Sequence, residues 1–273
     1  MPEPRPNPSA GGEAGMRPAN VVDLRGDAAS DASAPGAGAD LFPLVLDDVS
    51  FQAGGTVLIK GVDLTLPAQG ATVIMGPNGA GKSLLLRLMH GLIAPSGGTV
   101  TWGGMPLGEA VRKRQAMVFQ RPVLLRRSVA ANIDFVLRLR GRADPGRRRE
   151  ILDHAGLAAH ADQPARLLSG GEQQRLAMAR ALATEPDVLF MDEPTSNLDP
   201  ASTLVIEEIA KAARDRGTKI IFITHDMGQA RRLADEVVFV HKGKVLEHSP
   251  AETFFTQPAS TEAGDYMAGK IIL

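Results

Sequence analysis

The stretch Gly76-Pro-Asn-Gly-Ala-Gly-Lys-Ser83 decides the fold, because it fits the phosphate-loop pattern G-x-x-x-x-G-K-[ST]. The apolar run Ala71-Thr-Val-Ile-Met75 predicts a buried strand before it, and residues 84–89 predict the helix that leaves it. The alternative, a chance glycine-rich turn, does not account for this strand and helix. The sequence therefore predicts an α/β protein that holds a nucleoside triphosphate.

The residue types of this loop match the needs of a phosphate site. Gly76, Gly79 and Gly81 let the backbone approach the phosphates, so that amide N–H groups and the positive helix end face the negative charge. We expect Lys82 to reach the β- and γ-phosphates and the Ser83 hydroxyl to be a ligand of Mg²⁺. The predicted nucleotide-binding loop also includes Pro77, Asn78 and Ala80.

Composition excludes several other classes of protein. The 273 residues are 44% apolar, which is enough for a sizeable core, and the net charge of −1 gives no overall attraction to nucleic acid or anionic lipid. The absence of cysteine excludes disulfides, thiol catalysis and cysteine-ligated metal. No run approaches the ~20 apolar residues of a membrane span, and the N-terminus lacks an apolar signal core, so we expect a cytoplasmic protein.

Residues 1–40 differ in composition from the rest of the chain. They are rich in Pro, Ala, Gly, Ser and Asp and contain few large apolar residues, so folding would not repay its entropy cost. We expect a disordered extension here, followed by a nucleotide-binding domain over residues 41–273. The sequence leaves open whether Met1 or Met16 is the start.

Short apolar runs separated by turn residues begin at residue 41 and predict an antiparallel sheet before the phosphate loop. The runs are residues 44–46, 57–59, 62–66 and 99–102. Val118-Phe119 predicts a further short strand that ends at Gln120. After Leu168 strands and helices alternate again, with buried parallel strands predicted at residues 188–191, 219–224 and 236–240.

Between residues 121 and 166 helical signals replace the strands, which predicts an inserted helical subdomain. Ser128 fits the N-cap of a helix over residues 129–137. A group of six arginines between residues 138 and 149 lacks aromatic neighbours on which bases could stack, so we favour a solvated helix face over a nucleic-acid surface. They are Arg138, Arg140, Arg142, Arg147, Arg148 and Arg149.

Asp192 and Glu193 form a carboxylate pair at the end of a predicted buried strand. Both charges are favourable there only in a polar site that carries a metal. Asp192 can hold Mg²⁺, directly or through water, and Glu193 is then free to orient and deprotonate the attacking water. The alternative is that the two carboxylates cap the next helix, but that role does not account for the phosphate loop in the same chain.

A second anion site is predicted by Leu168-Ser-Gly-Gly-Glu-Gln-Gln-Arg175. Ser169, Gly170 and Gly171 present bare amides at the start of the helix predicted over residues 172–183. One triphosphate already has its binding site at Lys82, so a single chain would have one anion site too many. A head-to-tail dimer accounts for both sites, because each Ser169 loop then covers the partner's nucleotide. Taken alone, a Ser-Gly-Gly turn is common.

Together these motifs resemble the ATP-binding subunit of an ABC transporter over about residues 44–273, with Walker A at 76–83, the signature at 168–175 and Walker B ending at Glu193. The resemblance implies a RecA-like P-loop NTPase core with an antiparallel β subdomain and the inserted α-helical subdomain. It also implies ATP and Mg²⁺ as ligands. By the same resemblance, Gln120 contacts Mg²⁺ and links it to a membrane subunit, Asp199 in Ser196-Asn-Leu-Asp199 joins the two sites of the dimer, and His225 touches the γ-phosphate. A lone His after a strand is otherwise more often structural.

One position departs from the family pattern. The family usually places an aromatic residue two positions after the Ser50-Phe51 pair, where it stacks on adenine, but Gln52 is followed by Ala53. Stacking at that position is therefore in doubt. Phe51 lies one alternation earlier on the predicted strand and is assigned to the core.

The resulting hypothesis is the ATPase subunit of an importer at the cytoplasmic face of the plasma membrane, with a second copy and a membrane permease as partners. A solute-binding protein takes part indirectly, and no nucleic-acid partner is expected. The alternatives are an exporter cassette and a soluble ABC ATPase of DNA repair or translation. Residues 117–129 and 224–232 resemble cassettes for oxyanions, tungstate first and phosphate next, and cassettes for another solute stay open.

Overall fold

The computed structural model describes residues 39–270 as an α/β fold with two sheets. The strands are β1 Leu44–Ala53, β2 Thr56–Leu66, β3 Ala71–Met75, β4 Gly97–Trp102, β5 Met105–Pro106, β6 Gln115–Val118, β7 Val188–Asp192, β8 Lys219–Ile223, β9 Glu236–His241 and β10 Lys244–Pro250. The helices are α1 Lys82–His90, α2 Glu109–Arg112, α3 Val129–Leu139, α4 Pro145–His154, α5 Gly170–Leu182, α6 Pro200–Asp215, α7 Met227–Leu233, α8 Ala251–Thr256 and α9 Thr261–Met267.

The larger sheet has the strand order β10-β9-β3-β8-β7-β6, and its strands run parallel except for β10. Its central strands are buried on both faces, as their continuous apolar runs predict. Successive residues of these strands face two different cores. Val73 and Phe222 face the first core, whereas Ile74 and Ile221 face the second. Because neighbouring strands are parallel, the residues that follow β3, β7 and β8 meet at one edge of the sheet.

The smaller sheet is antiparallel, in the order β2-β1-β4-β5, and packs over the second core. Trp102 and Phe190 join the two sheets through an edge-to-face contact with ring centroids 6.1 Å apart. The Lys60 amide donates to the Gly243 carbonyl at 2.9 Å, which fixes β2 beside the β9–β10 turn. The predicted antiparallel subdomain and α/β core are thereby confirmed.

The predicted helical insertion contains α3 and α4. Ser128 caps α3 as expected, since its hydroxyl accepts the Ala131 amide at 3.2 Å. The buried Asn132 side chain accepts the Leu125 amide at 2.9 Å and donates to the Leu125 and Ser128 carbonyls at 3.2 and 2.9 Å. These bonds hold the segment between Gln120 and α3 in a defined shape.

Several predicted boundaries differ from the structure. Residues 57–59 and 62–66 are one strand, because Gly61, at φ 57°, lets β2 continue through irregular pairing with β1. The strand at Val118-Phe119 begins earlier and ends at Val118. β10, α8 and α9 were not predicted.

The predicted disordered extension lies outside the described residues except for Ala39 and Asp40. These two begin a 3₁₀ turn, and Asp40 forms an ion pair with Arg114 at 2.8 Å. Within residues 39–270 no helix combines the length and the apolar character needed to cross a bilayer.

Candidate functional site

The phosphate loop connects β3 to α1 and depends on glycine at two strained positions. Gly76 has φ 143°, and a Cβ there would lie 2.0 Å from the Val240 carbonyl oxygen. Gly81 has φ 105° and is the residue from which α1 starts. An L side chain at either position would be strained, so the chain can reach the helix start by this path only with glycine.

Lys82 is buried within the loop that it serves. Its Nζ donates to the Gly76 and Pro77 carbonyls at 2.8 and 3.0 Å, and the residue is 5% exposed. Burial lowers the pKa of Lys82, while the nearby Glu193 and Asp192 carboxylates act to raise it. The ammonium group is thus held beside two carboxylates at the bottom of a cavity of about 240 Å³ lined by residues 78–84 and Glu193.

Ser83 and Asp192 meet directly. The Ser83 hydroxyl donates to Asp192 Oδ1 at 2.7 Å, and Arg87 lies 3.7 Å from Oδ2. Burial raises the pKa of Asp192, whereas the Ser83 hydrogen bond and the Arg87 charge act to lower it. A hydroxyl and a carboxylate side by side are the hard oxygen ligands that suit Mg²⁺, so the donor set fits the predicted ion.

Glu193 and His225 leave neighbouring strands and approach each other. The His225 Nδ1 is 3.3 Å from Glu193 Oε2, and the Glu193 side chain is 19% exposed. Glu193 also has φ 45°, a conformation that costs a non-glycine residue ~1–3 kcal/mol. It lines both the phosphate-loop cavity and a second cavity of about 480 Å³, which His225 and Ser196 also line.

Gln120 and Asp199 do not line this second cavity, but Gln120 contacts the lining residue Ser196, and Asp199 lies between the lining residues Leu198 and Pro200. The Gln120 amide donates to the Ser196 hydroxyl at 3.0 Å. Asp199 caps α6, accepting the Ser202 amide at 3.0 Å and the Ser202 hydroxyl at 2.6 Å. These bonds to Ser202 lower the pKa of Asp199. Two predicted site segments, around Gln120 and Ser196, are thus in contact within one chain.

The signature residues lie apart from this group. Ser169 caps α5 in a capping box with Glu172, whose carboxylate accepts the Ser169 amide at 2.8 Å. Ser169 and Gly170 are exposed, whereas Gly171 is buried against Ser202 on α6. None of the three lines either cavity described above. α5 begins two residues before the predicted start, because Gly170 and Gly171 are already helical.

The sequence prediction missed two residues that approach the site. Arg87 lies four residues after Ser83 on α1, a spacing that puts both on one helix face and could have identified it. Tyr266 has no such signal, because α9 reaches the site only through the tertiary fold. Its ring centroid lies 5.4 Å from that of Phe239. Burial and the Glu193 charge raise the pKa of Tyr266, and the Gly76 amide opposes the rise.

The departure at Ala53 has a structural counterpart. Ala53 is exposed at the end of β1, where it pairs with Thr56. Phe51 is half-buried, pairs with Ile59 and packs on the second core. Phe51 therefore packs against the core, as predicted, although its ring is not fully buried.

Comparison with known proteins gives consistent matches. The ABC transporter family matches residues 59–196. The phosphate import ATP-binding protein PstB 2 of Natronomonas pharaonis is 41% identical over 249 residues, which cover 84% of this chain and 87% of that protein. The methionine import ATP-binding protein MetN of Caulobacter vibrioides is 41% identical over 234 residues, which cover 81% of this chain and 70% of that protein.

A solved structure agrees with these relatives. The cbiO1 protein of Clostridium perfringens, part of the ABC transporter complex cbiONQ, has a TM-score of 0.69 and 28% identity, over 79% of this chain and 91% of that one. The fold likeness and the identity over most of both chains agree with the phosphate loop and the Asp192-Glu193 strand end. The chain therefore belongs to the ABC transporter family and is an ATP-binding, ATP-hydrolysing subunit of the importer type.

Proposed function

We propose that the chain hydrolyses ATP as a head-to-tail dimer and thereby drives uptake of a small oxyanion through a separate membrane permease. The observation that carries this proposal is the position of Glu193. Its carboxylate faces the phosphate-loop cavity on one side and His225 on the other. A base in that place can act on water beside a γ-phosphate. Residues 41–273 form the ATP-binding domain, with residues 121–166 as its helical subdomain.

Each site residue has a defined role in this proposal. The backbone of residues 76–81 cradles the phosphates, and Lys82 exchanges its bonds to loop carbonyls for bonds to the β- and γ-phosphates. Glu193 accepts the proton of the attacking water. His225 donates to the γ-phosphate and stays oriented by the Glu193 carboxylate. Mg²⁺, held by Ser83, Asp192 and Gln120, would neutralise phosphate charge during the transfer.

The dimer follows from the placement of the signature residues. Ser169 and Gly170 are exposed and line neither cavity of their own chain. The Ser169 amide is bound by Glu172, but the Gly170 and Gly171 amides lie in the first turn of α5, where backbone amides have no acceptor within the helix. Such a helix end favours an anion. In a head-to-tail dimer it covers the γ-phosphate held by the partner, and the Asp199 segment lies between the two nucleotides.

Relatives support an oxyanion only in part. One relative with 41% identity imports phosphate by its name, and another with the same identity imports methionine. The segments after Gln120 and around His225 favour the oxyanion class. Phosphate has the support of a named relative, and tungstate stays a prediction from sequence. The permease places the chain at the cytoplasmic face of the membrane, with a solute-binding protein as indirect partner.

The experiment is a gene deletion complemented by wild type or by Glu193→Gln. Uptake of phosphate, tungstate, molybdate, sulfate and methionine is measured at nanomolar supply. We expect loss of phosphate or tungstate uptake, restored by wild type and not by Glu193→Gln. Loss of methionine uptake alone would make the oxyanion class wrong while transport stands. Unchanged uptake of all solutes, with the protein found on ribosomes or DNA, would instead support a soluble ABC ATPase.

Purified Glu193→Gln protein tests the catalytic assignment directly. The substitution keeps the side-chain shape and removes the base, so ATP binding should persist while kcat falls by ~10² to 10⁴-fold. Unhydrolysed ATP should also hold the dimer together, which size-exclusion chromatography would show. ATPase activity near the wild-type level would contradict the role of Glu193.

A further inference from the structure

A charged group outside the nucleotide site lies buried between α6 and α7. The Glu207 side chain on α6 is 1% exposed, although it carries a carboxylate. Its Oε1 accepts Arg232 Nη2 at 2.6 Å, and its Oε2 accepts Arg232 Nε at 2.8 Å. This pair of parallel bonds between the guanidinium and the carboxylate, called the fork below, fixes both the distance and the orientation of the two helices.

Gln229 extends this pair toward the catalytic residues. Its Nε2 donates to Glu207 Oε1 at 3.1 Å, and its Oε1 accepts the Thr195 hydroxyl at 3.1 Å. Thr195 follows Glu193 by two residues in the chain. The backbone N–H of Gln229 donates to Asp226 Oδ1 at 2.6 Å, so that Asp226, the residue after His225, caps α7.

These contacts, together with two short segments of the chain, close a ring around the catalytic pair. One side runs from Glu193 through Thr195 to Gln229, and the other runs from Gln229 through Asp226 to His225. The ring closes at the 3.3 Å approach of His225 to Glu193. The position of α7 against α6 therefore defines how the Glu193 and His225 side chains lie relative to each other.

Few apolar side chains hold α7 in place. The helix has seven residues, of which Ala230 and Leu233 are buried and Met227 is partly buried against the core. A well-packed apolar pair in place of Glu207 and Arg232 would cost no stability in many proteins, so stability does not explain a buried charge here. The fork instead supplies a directional constraint that apolar contacts lack.

We propose that Glu207, Gln229 and Arg232 form a positioning unit that holds His225 at the Glu193 carboxylate. The rate of ATP hydrolysis then depends on a carboxylate that does not touch the nucleotide. The inference rests on the proposed roles of Glu193 and His225. It adds residues on α6 and α7 whose influence passes through His225.

The test compares kcat and KM for ATP in the full-length chain. Arg232→Met keeps the side-chain stem and removes the fork, so kcat should fall about 10- to 100-fold through misplacement of His225. KM should stay within twofold, because the network does not touch the phosphate loop. Arg231→Met is the matched control: Arg231 is the neighbouring arginine on α7, its guanidinium lies 4.4 Å above the Phe255 ring, and its removal should leave kcat unchanged.

A double-mutant cycle distinguishes positioning from general destabilisation. In the His225→Ala background, Arg232→Met should have no further effect on kcat, because the group that it positions is gone. The proposal would be overturned if Arg232→Met lowered kcat by the same factor in the His225→Ala background as in the wild type. It would also be overturned if Arg232→Met raised KM as it lowered kcat. Normal turnover of His225→Ala would overturn the proposed role of His225 and this inference with it.

A second variant covers the case in which Arg232→Met misfolds because it leaves the Glu207 charge buried and unpaired. Glu207→Gln/Arg232→Met removes both charges and retains an amide opposite Gln229. Its melting temperature should be close to that of wild type, while its kcat stays lowered. Recovery of kcat together with the melting temperature would show a purely structural role and overturn the proposal.

Discussion

Gly171→Ala offers the sharpest steric test of how the signature helix sits in the fold. A Cβ at Gly171 would lie 2.4 Å from Ser202 Oγ and 2.9 Å from Ser202 Cβ, both inside normal contact distance. Overpacking of this kind costs ~1–3 kcal/mol. Alanine in a helix regains ~0.5–1 kcal/mol over glycine. We therefore expect a net loss of about 1–2 kcal/mol in the free energy of unfolding, measured in urea.

The neighbouring glycine is the matched control. A Cβ at Gly170 would find Leu198 Cδ2 at 3.9 Å, an ordinary contact, so Gly170→Ala should be neutral or slightly stabilising. Ser202→Gly removes the obstructing side chain, so adding Gly171→Ala to it should cost no further stability. Equal stability of Gly171→Ala and Gly170→Ala would refute the close packing of α5 on α6.

Two further predictions concern pH and adenine. Burial acts to raise the pKa of Glu236, but the His248 hydrogen bond and the Lys219 charge outweigh it and lower this pKa to about 2. Because the pKa is lower in the folded state, the carboxylate stabilises the fold at neutral pH by about 3 kcal/mol, and about 2 kcal/mol of this is lost as the pH falls from 6 to 3. Urea unfolding should show this loss in the wild type and not in Glu236→Gln. Ala53→Tyr in the Glu193→Gln background should tighten ATP binding about 5- to 150-fold by stacking. No gain in titrations, together with a large loss from Phe51→Ala, would place the stack at Phe51.

Contiguous motifs explain why so much of the site was predictable. The backbone path of the phosphate loop requires glycine at Gly76 and Gly81, and both glycines belong to a motif of eight consecutive residues that the sequence shows directly. Helix caps are equally local, so Ser128 was predicted from its neighbours alone. The parallel strands followed from unbroken apolar runs, since only a sheet covered on both faces buries such runs.

Contacts between distant segments were not predictable in the same way. Glu207 and Arg232 lie on different helices, and neither residue has a local pattern that marks a buried pair. The merged strand β2 was missed because Lys60 and Gly61 interrupt its apolar pattern, while tertiary pairing carries the strand through them. Tyr266 approaches the phosphate loop only because α9 packs on Phe239.

The helix α6 connects two regions that the motifs present as separate. Near its start Ser202 packs against Gly171 of the signature helix, and Glu207 then binds Arg232 of α7, the helix that follows His225. These two contact points are five residues apart, about 7.5 Å along one helix. A helix is stiff over that length, so α6 cannot shift at Ser202 without also shifting Glu207. A displacement of the signature helix would therefore reach the His225 segment through a single rigid element, and Gly171→Ala and Arg232→Met perturb opposite sides of the same helix.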